Sequence, residues 1–240
     1  MLPARRPLWL LMMALLCLLG PTGCAADRTT AHPAAEPAEL TATRVSPVDI
    51  DLTWRTREQG AAGQALEFAT APHGPYTLLQ YLPAGQHTYH HRDLIPHTTF
   101  YYRLRPYLGT ASRAVTVNLP GGRASPDDRP WARPRTTGRP APDPARTGTA
   151  AAAPAGLSAT VRAADGIEFH WGDRSADEAG FLLEDRPRGA AAFRVVAVVA
   201  PGIDTVGLTT LPDERRAQYR VRSFRYGPAS NVVHLTTGSA

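Results

Sequence analysis

Ile50-Asp51-Leu52-Thr53-Trp54 alternates apolar and polar residues and ends on tryptophan, and Ile167-Glu168-Phe169-His170-Trp171 does the same 117 residues later. Such alternation puts the apolar set on one face of a strand and the polar set on the other, the pattern of a half-buried β-strand. The same offset relates Leu40 to Leu157, Glu67 to Glu184, Tyr76 to Phe193 and Leu94 to Leu211. It also relates Tyr102-Arg103-Leu104 to Tyr219-Arg220-Val221, and so persists for about 65 residues. Near the end it becomes 118, where Ser112-Arg113-Ala114-Val115 meets Ser230-Asn231-Val232-Val233. A shared register of this length means two copies of one unit.

Both units read as β throughout. Phe100, Tyr102 and Leu104 alternate with Tyr101, Arg103 and Arg105, and Ala192 to Val199 is a β-rich run. No window shows a 3.6-residue period with helix caps. Short strands at regular spacing and one early core tryptophan describe a β-sandwich of about 80 residues. The chain is therefore expected to be all-β, with sandwiches at 38–119 and 155–240 joined by a linker at 120–154. Eight of the linker's residues are Pro, with Gly, Ala, Thr and Arg around them, so it is expected to be extended or disordered and to leave the sandwiches independently oriented. Trp131 is its one large apolar residue and could dock on a sandwich or a partner, or stand idle.

At these residues the chain resembles the fibronectin type III family. Trp171-Gly-Asp173-Arg-Ser175-Ala-Asp177-Glu178-Ala-Gly180-Phe181-Leu-Leu183-Glu184 is similar to that family's second strand, following loop and third strand. Tyr219-Arg220-Val221-Arg222 is similar to its sixth strand, and Pro228-Ala229-Ser230-Asn231 to the approach to its last. The first copy matches through Leu94-Ile-Pro96-His-Thr98-Thr-Phe100-Tyr-Tyr102-Arg103. The resemblance implies tandem immunoglobulin-like sandwiches and says little about function. It also implies a corner Tyr two residues before each Tyr-Arg pair, where this chain has Phe100 and Ala217. Both copies are then expected to lack a hydrogen bond of about 1 kcal/mol, and the second to be the looser at that corner.

The first residues read as an address. Arg5 and Arg6 precede twelve apolar residues, Leu8 to Leu19, and then Gly20-Pro21. That is the pattern of a secretory signal peptide, and the run is short of the roughly 20 residues that span a bilayer. Pro21-Thr22-Gly23-Cys24 resembles the lipobox of bacterial lipoproteins, although Pro21 stands where that family prefers Leu. The resemblance implies a signal at 1–23, acylation of Cys24 and a tether at 24–37. The protein would then sit at the cell envelope, held to a membrane through its lipid. Cleavage after Ala25 or Ala26 is the alternative, and leaves a secreted chain. Cys17 falls inside the signal, so the mature chain keeps at most one of the two Cys and no internal disulfide.

The net charge of +5 is carried by 26 Arg and no Lys. Three units of the excess fall in residues 120–154, whereas residues 155–240 balance ten Arg against ten acids. A nucleic-acid protein gathers its excess on a folded face, so no nucleic-acid partner is expected. Five of the eight His lie between residues 73 and 97, but adjacent His90 and His91 on a strand point to opposite faces and no third ligand has a fixed spacing. His91 aligns with Leu208 and is expected to point inward. No nucleophile elbow, phosphate loop or paired-Cys motif is present, so no enzyme, metal or cofactor is expected.

What remains is surface recognition. Tyr101, Arg103 and Arg105 should share the outer face of one strand, and Arg220 and Arg222 that of its counterpart. They form a candidate binding patch for an acidic glycan or phosphate-rich polymer. The competing expectation is that Glu67 and Glu184 pair with these arginines across neighbouring strands. The function expected is non-catalytic: adhesion or scaffolding at the envelope toward a protein or glycan. The alternative is an accessory protein that binds cell-wall or extracellular polysaccharide through exposed aromatics.

Overall fold

The computed structural model describes residues 38–56, 60–122, 129–137 and 152–239. The signal at 1–23, with Cys24, and the tether at 24–37 lie outside them. Among the described residues the architecture is all-β, apart from short 3-10 turns at Pro130–Ala132 and Pro212–Arg215. In the first sandwich β1 (Glu39–Arg44), β2 (Ile50–Arg55) and β5 (Thr88–His91) form one antiparallel sheet in the order β1-β2-β5. It packs against β3 (Gly63–Ala69), β4 (Thr77–Pro83) and β6 (Thr99–Leu108). The second sandwich repeats this with β8 (Ala155–Ala163), β9 (Gly166–Gly172) and β12 (Thr205–Thr209). These face β10 (Gly180–Pro187), β11 (Arg194–Val199) and β13 (Arg216–Tyr226).

The alternation places the cores where the sequence predicts. Ile50, Leu52 and Trp54 point inward together, as do Ile167, Phe169 and Trp171. Phe100, Tyr102 and Leu104 close the first core, and Phe181, Leu183, Tyr219 and Val221 the second. His91 is half-buried among Phe68, Tyr89, Phe100 and Tyr102, and burial lowers its pKa.

The last strand of each copy is not where the repeat puts it. β7 (Val115–Asn118) follows β6 in the chain yet pairs with β13, from Val115 opposite Tyr219 to Asn118 opposite Arg216. β14 (Val233–Thr236) follows β13 yet pairs with β6, from Val233 opposite Tyr102 to Thr236 opposite Thr99. Val117 and Leu119 are buried in the core of Trp171, while Val233 and Leu235 pack on that of Trp54. The expected boundaries are thereby corrected: Val115–Asn118 completes the second sandwich and Val233–Thr236 the first.

Geometry at the strand ends explains the exchange. The C-terminal ends of β6 and β13 pair with one another, Leu108 with Arg225 and Tyr107 with Tyr226. A chain leaving β6 is therefore already beside the open edge of β13. It turns at Gly109, where φ is +139° and an added Cβ would run into the Ser223 carbonyl oxygen, so only glycine fits. Two serines then repeat one contact: Ser112 Oγ accepts from Val221 N–H (3.1 Å), and Ser230 Oγ from Leu104 N–H (2.9 Å).

The pairing of β6 with β13 joins the two larger sheets into one eight-stranded sheet. Tyr107, Leu182 and Phe224 form a third core at the junction, flanked by Tyr81 and Tyr226, whose hydroxyls are 2.5 Å apart. Independent orientation of the sandwiches is thus corrected, because they share strands, a sheet and a core. The expected disordered linker is corrected for its described part. Trp131 lies over Gly166 and Gly207, which have no side chain to hold it off. Arg135 exchanges both backbone hydrogen bonds with Thr205 (2.9 and 3.1 Å), extending the edge of β12. Residues 123–128 and 138–151 lie outside the described part.

The corner is corrected too. The Tyr219 hydroxyl donates to the Glu214 carbonyl at 2.6 Å, fully buried, so the second copy has the corner bond after all. The corner residue is the Tyr of the Tyr-Arg pair itself. In the first copy the matching Tyr102 hydroxyl pairs instead with His91 Nδ1 at 3.0 Å.

Candidate binding surface

The candidate arginines stand on the outer face of the eight-stranded sheet, in two constellations that repeat the offset of 117. Strand register puts Glu67 opposite Arg103 and Glu184 opposite Arg220. Arg103 Nε donates to Glu67 Oε2 at 2.6 Å, and Arg105 Nη1 lies 3.8 Å from Glu67 Oε1. Arg220 and Arg222 share Glu184 in the same way, with Arg222 Nε 2.7 Å from Glu184 Oε1. The cross-strand pairs expected from the sequence are present in both copies.

Aromatic rings hold the guanidinium groups from the other side. Arg103 lies 4.0 Å from the Tyr76 ring centroid, Arg105 4.0 Å from that of Tyr226, and Arg220 3.9 Å from that of Phe193. Sandwiched between a ring and a carboxylate, these cations are fixed and largely neutralised. Arg222 goes furthest: it is 8% exposed, and its Nη1 donates to the Gly109 carbonyl at 2.7 Å. It fastens the crossover of the exchanged strand and offers little to a ligand. Tyr101 stacks on His234 of β14, ring centroids 5.4 Å apart, so it too is engaged by the exchange.

Beside the Glu184 constellation the fold assembles a feature that the sequence reading missed. Arg186, Arg188 and Arg216 line a cleft of about 320 Å³ at the end of β10 and β13. Thr116 and Asn118 of β7 form its other wall, opposite Gln218 and Arg216. Arg186 donates to the Gln218 side-chain oxygen and lies 4.9 Å from the Phe193 centroid. Among the described residues no carboxylate lines this cleft. The alternation on β10 put Arg186 on the face of Glu184, but Thr116 and Asn118 reach this place only through the exchange.

Among the described residues no three of His, Cys, Asp or Glu stand together as metal ligands, and no helix is long and apolar enough to cross a membrane. His90 pairs with Asp51 on the outer face of the smaller sheet, away from the half-buried His91.

The sheets, their order and the repeated cores define a protein of two fibronectin type III-like, immunoglobulin-like sandwiches. No protein-family model matches the chain, and no curated protein matches it. Solved structures similar to it include a two-domain fibronectin type III segment of chicken tenascin, 14% identical. That match covers 83% of this chain and 98% of the other, at a TM-score of 0.27. Domains FN1 to FN3 of chicken contactin are also 14% identical, covering 86% of this chain and 68% of that one at a TM-score of 0.28. At such TM-scores the likeness carries no weight of its own, and the assignment of the fold rests on the strands.

Proposed function

We propose that this chain is a non-catalytic binding or scaffolding protein of the cell envelope, attached through a lipid on Cys24. The observation that carries the binding part is the strand exchange. A single eight-stranded sheet runs through both sandwiches, so surface groups of the two copies keep fixed positions relative to one another. Fixed spacing lowers the ordering cost of engaging a partner at more than one point. The attachment part is supported by the charged start, the apolar run Leu8 to Leu19 and the Gly23-Cys24 pair. Two or more acyl chains suffice for stable anchoring.

Metabolic labelling with an alkyne fatty acid tests the attachment. Label on the wild type, none on Cys24→Ala, and release of the variant into the soluble fraction is the expected result. An unlabelled wild type whose N-terminus is Ala26 or Asp27 means a secreted protein and overturns the anchor. An array of envelope glycans and proteins tests the binding reading.

A further inference from the structure

The outer face of the large sheet carries more arginine than its carboxylates can hold. Glu184 is taken by Arg220 and Arg222, and Glu67 by Arg103 and Arg105. The three arginines next along β10 and β13 have no such partner. Among the described residues no ion pair joins Arg186, Arg188 or Arg216 to an acid, and all three line the same cleft. Three like charges on neighbouring positions repel one another, and no feature of the fold requires them there: Arg188 and Arg216 are exposed and pack against no core.

We infer that this cleft is a binding site for an anionic glycan, a sugar chain carrying carboxylate or phosphate groups. The site has the elements such a ligand needs. Guanidinium forks match carboxylate and phosphate oxygens in geometry and stay charged at any physiological pH. Neutral donors stand between them. Gln218 accepts from Arg186 with its oxygen, which leaves its amide NH2 to donate, and Thr116 and Asn118 add a hydroxyl and a second amide. Arg216 and Gln218 lie two residues apart on β13, and Arg186 is one strand over, opposite Gln218. Strand geometry therefore sets the Arg186 and Arg216 backbone positions roughly 7–8 Å apart on the diagonal between neighbouring strands, beside an open groove. That suits a polymer with repeated anions better than a single small ion.

The exchange is part of this site. Thr116 and Asn118 are held beside β13 because β7 crosses over, and by the repeat His234 and Thr236 occupy the corresponding places on β6. The first sandwich therefore lacks a second copy of the same wall. The inference deepens the binding reading above and rests on it for the choice of ligand class, but is independent of the lipid anchor.

The test uses the full chain, purified in detergent, titrated with polygalacturonate as the carboxylate polymer, a glycerol-phosphate polymer as the phosphate one, and neutral dextran. At least one anionic polymer should bind, more weakly as salt rises, while dextran should not. Arg188→Ala combined with Arg216→Ala should weaken that binding at least about tenfold, the loss of one charge-assisted contact or more. Asn118→Asp, which places a carboxylate in the groove, should do the same. Arg225→Ala, an exposed arginine outside the cleft, should leave it unchanged. An unchanged denaturant midpoint shows that each variant is folded. The polymer that responds to the double variant identifies the anion. No binding by either polymer, or equal binding by the double variant and wild type, overturns the inference. Neutral glycans bound on the array, with no anionic polymer bound, would remove this site and leave the broader binding reading standing. Failure of Cys24 labelling bears on the anchor alone.

Discussion

Asn231 holds Leu40 by both of its backbone groups: its side-chain oxygen accepts from Leu40 N–H at 2.8 Å, and its amide nitrogen donates to the Leu40 carbonyl at 2.9 Å. The two residues are 191 apart in sequence. One side chain thus imitates a strand partner and ties β1, the first strand, to the segment that delivers β14, the last. Leu40 is buried, so its N–H has no ready substitute in water. Asn231→Ala is expected to cost roughly 1–3 kcal/mol, the loss of two bonds with one donor left buried. A urea midpoint equal to that of the wild type shows instead that β14 needs no such clamp.

The exchange makes a sharper forecast about cleavage. β7 and β14 each pair with the piece of chain that carries the other sandwich. A protease site placed in residues 138–151 separates the chain into fragments that are covalently free but still interlaced. They should migrate together on a native gel and in size exclusion, and part only in denaturant. Two beads on a string would fall apart on cutting, and prompt separation would contradict the exchange.

Sequence alone carried much of the fold and the pairing of the surface, for a local reason. Alternation in Ile50–Trp54 and Ile167–Trp171 is set by neighbouring residues, so buried faces are legible without knowing what covers them. Glu67 with Arg103 and Glu184 with Arg220 followed from adjacent strands in a known order. Which edge Val115–Asn118 occupies is a different kind of fact. β7 and β14 are copies of one another, and each offers the same apolar pair, Val115 and Val117 or Val233 and Leu235, to either core. No local pattern separates the two pairings, since the choice is made by Leu108 and Arg225 meeting across the sheet. The cleft of Arg186, Arg188 and Arg216 was hidden by the same ambiguity, because half of its wall arrives with β7.

Tyr219 should prove the firmer of the two corner tyrosines. Its hydroxyl donates to a backbone carbonyl in a fully buried site, whereas that of Tyr102 meets a half-buried histidine ring. Tyr219→Phe strands the Glu214 carbonyl and should cost about 1–2 kcal/mol, and Tyr102→Phe less. Denaturant curves that rank them the other way would mean that the His91 contact is the stronger bond.

Gly109 is where the crossover turns, and it should tolerate no side chain. Its φ of +139° is open to glycine alone, and a Cβ there meets the Ser223 carbonyl oxygen. Gly109→Ala is expected to cost on the order of 2 kcal/mol or more, by strain and displaced pairing at the junction of the sheets. Gly85→Ala is the matching control, since a Cβ at Gly85 meets nothing within 4 Å and no positive φ is involved. Thermal unfolding that moves equally in both variants would show that the crossover backbone is free to shift.

Acid should release the segment that carries Trp131. Arg135 and Arg162 both donate to Glu168, which is buried on the second sandwich. Burial alone pushes the Glu168 carboxyl up, but the two guanidinium groups outweigh it and hold the pKa below its ordinary value. A carboxyl lowered by folding contributes stability that is fully present above its unfolded pKa, about 4.3, and is lost as pH falls through the lower folded value. The contact of Arg135 with Glu168 should therefore be constant from neutral pH down to the ordinary carboxylate range, and weaken only as the pH falls below it. Trp131 lies in the same nine-residue segment as Arg135, so its indole resonance should move toward the position of an exposed tryptophan over that acid range. In Glu168→Gln the acid step should shrink to the part owed to Asp165, which holds Arg129 of the same segment at 3.1 Å, and to Asp204, which accepts from Thr137, because no proton is taken up at position 168. An indole signal indifferent to pH in the wild type, or an identical step in the Gln variant, would show that Gly166 and Gly207 hold the ring without help from the ion pair.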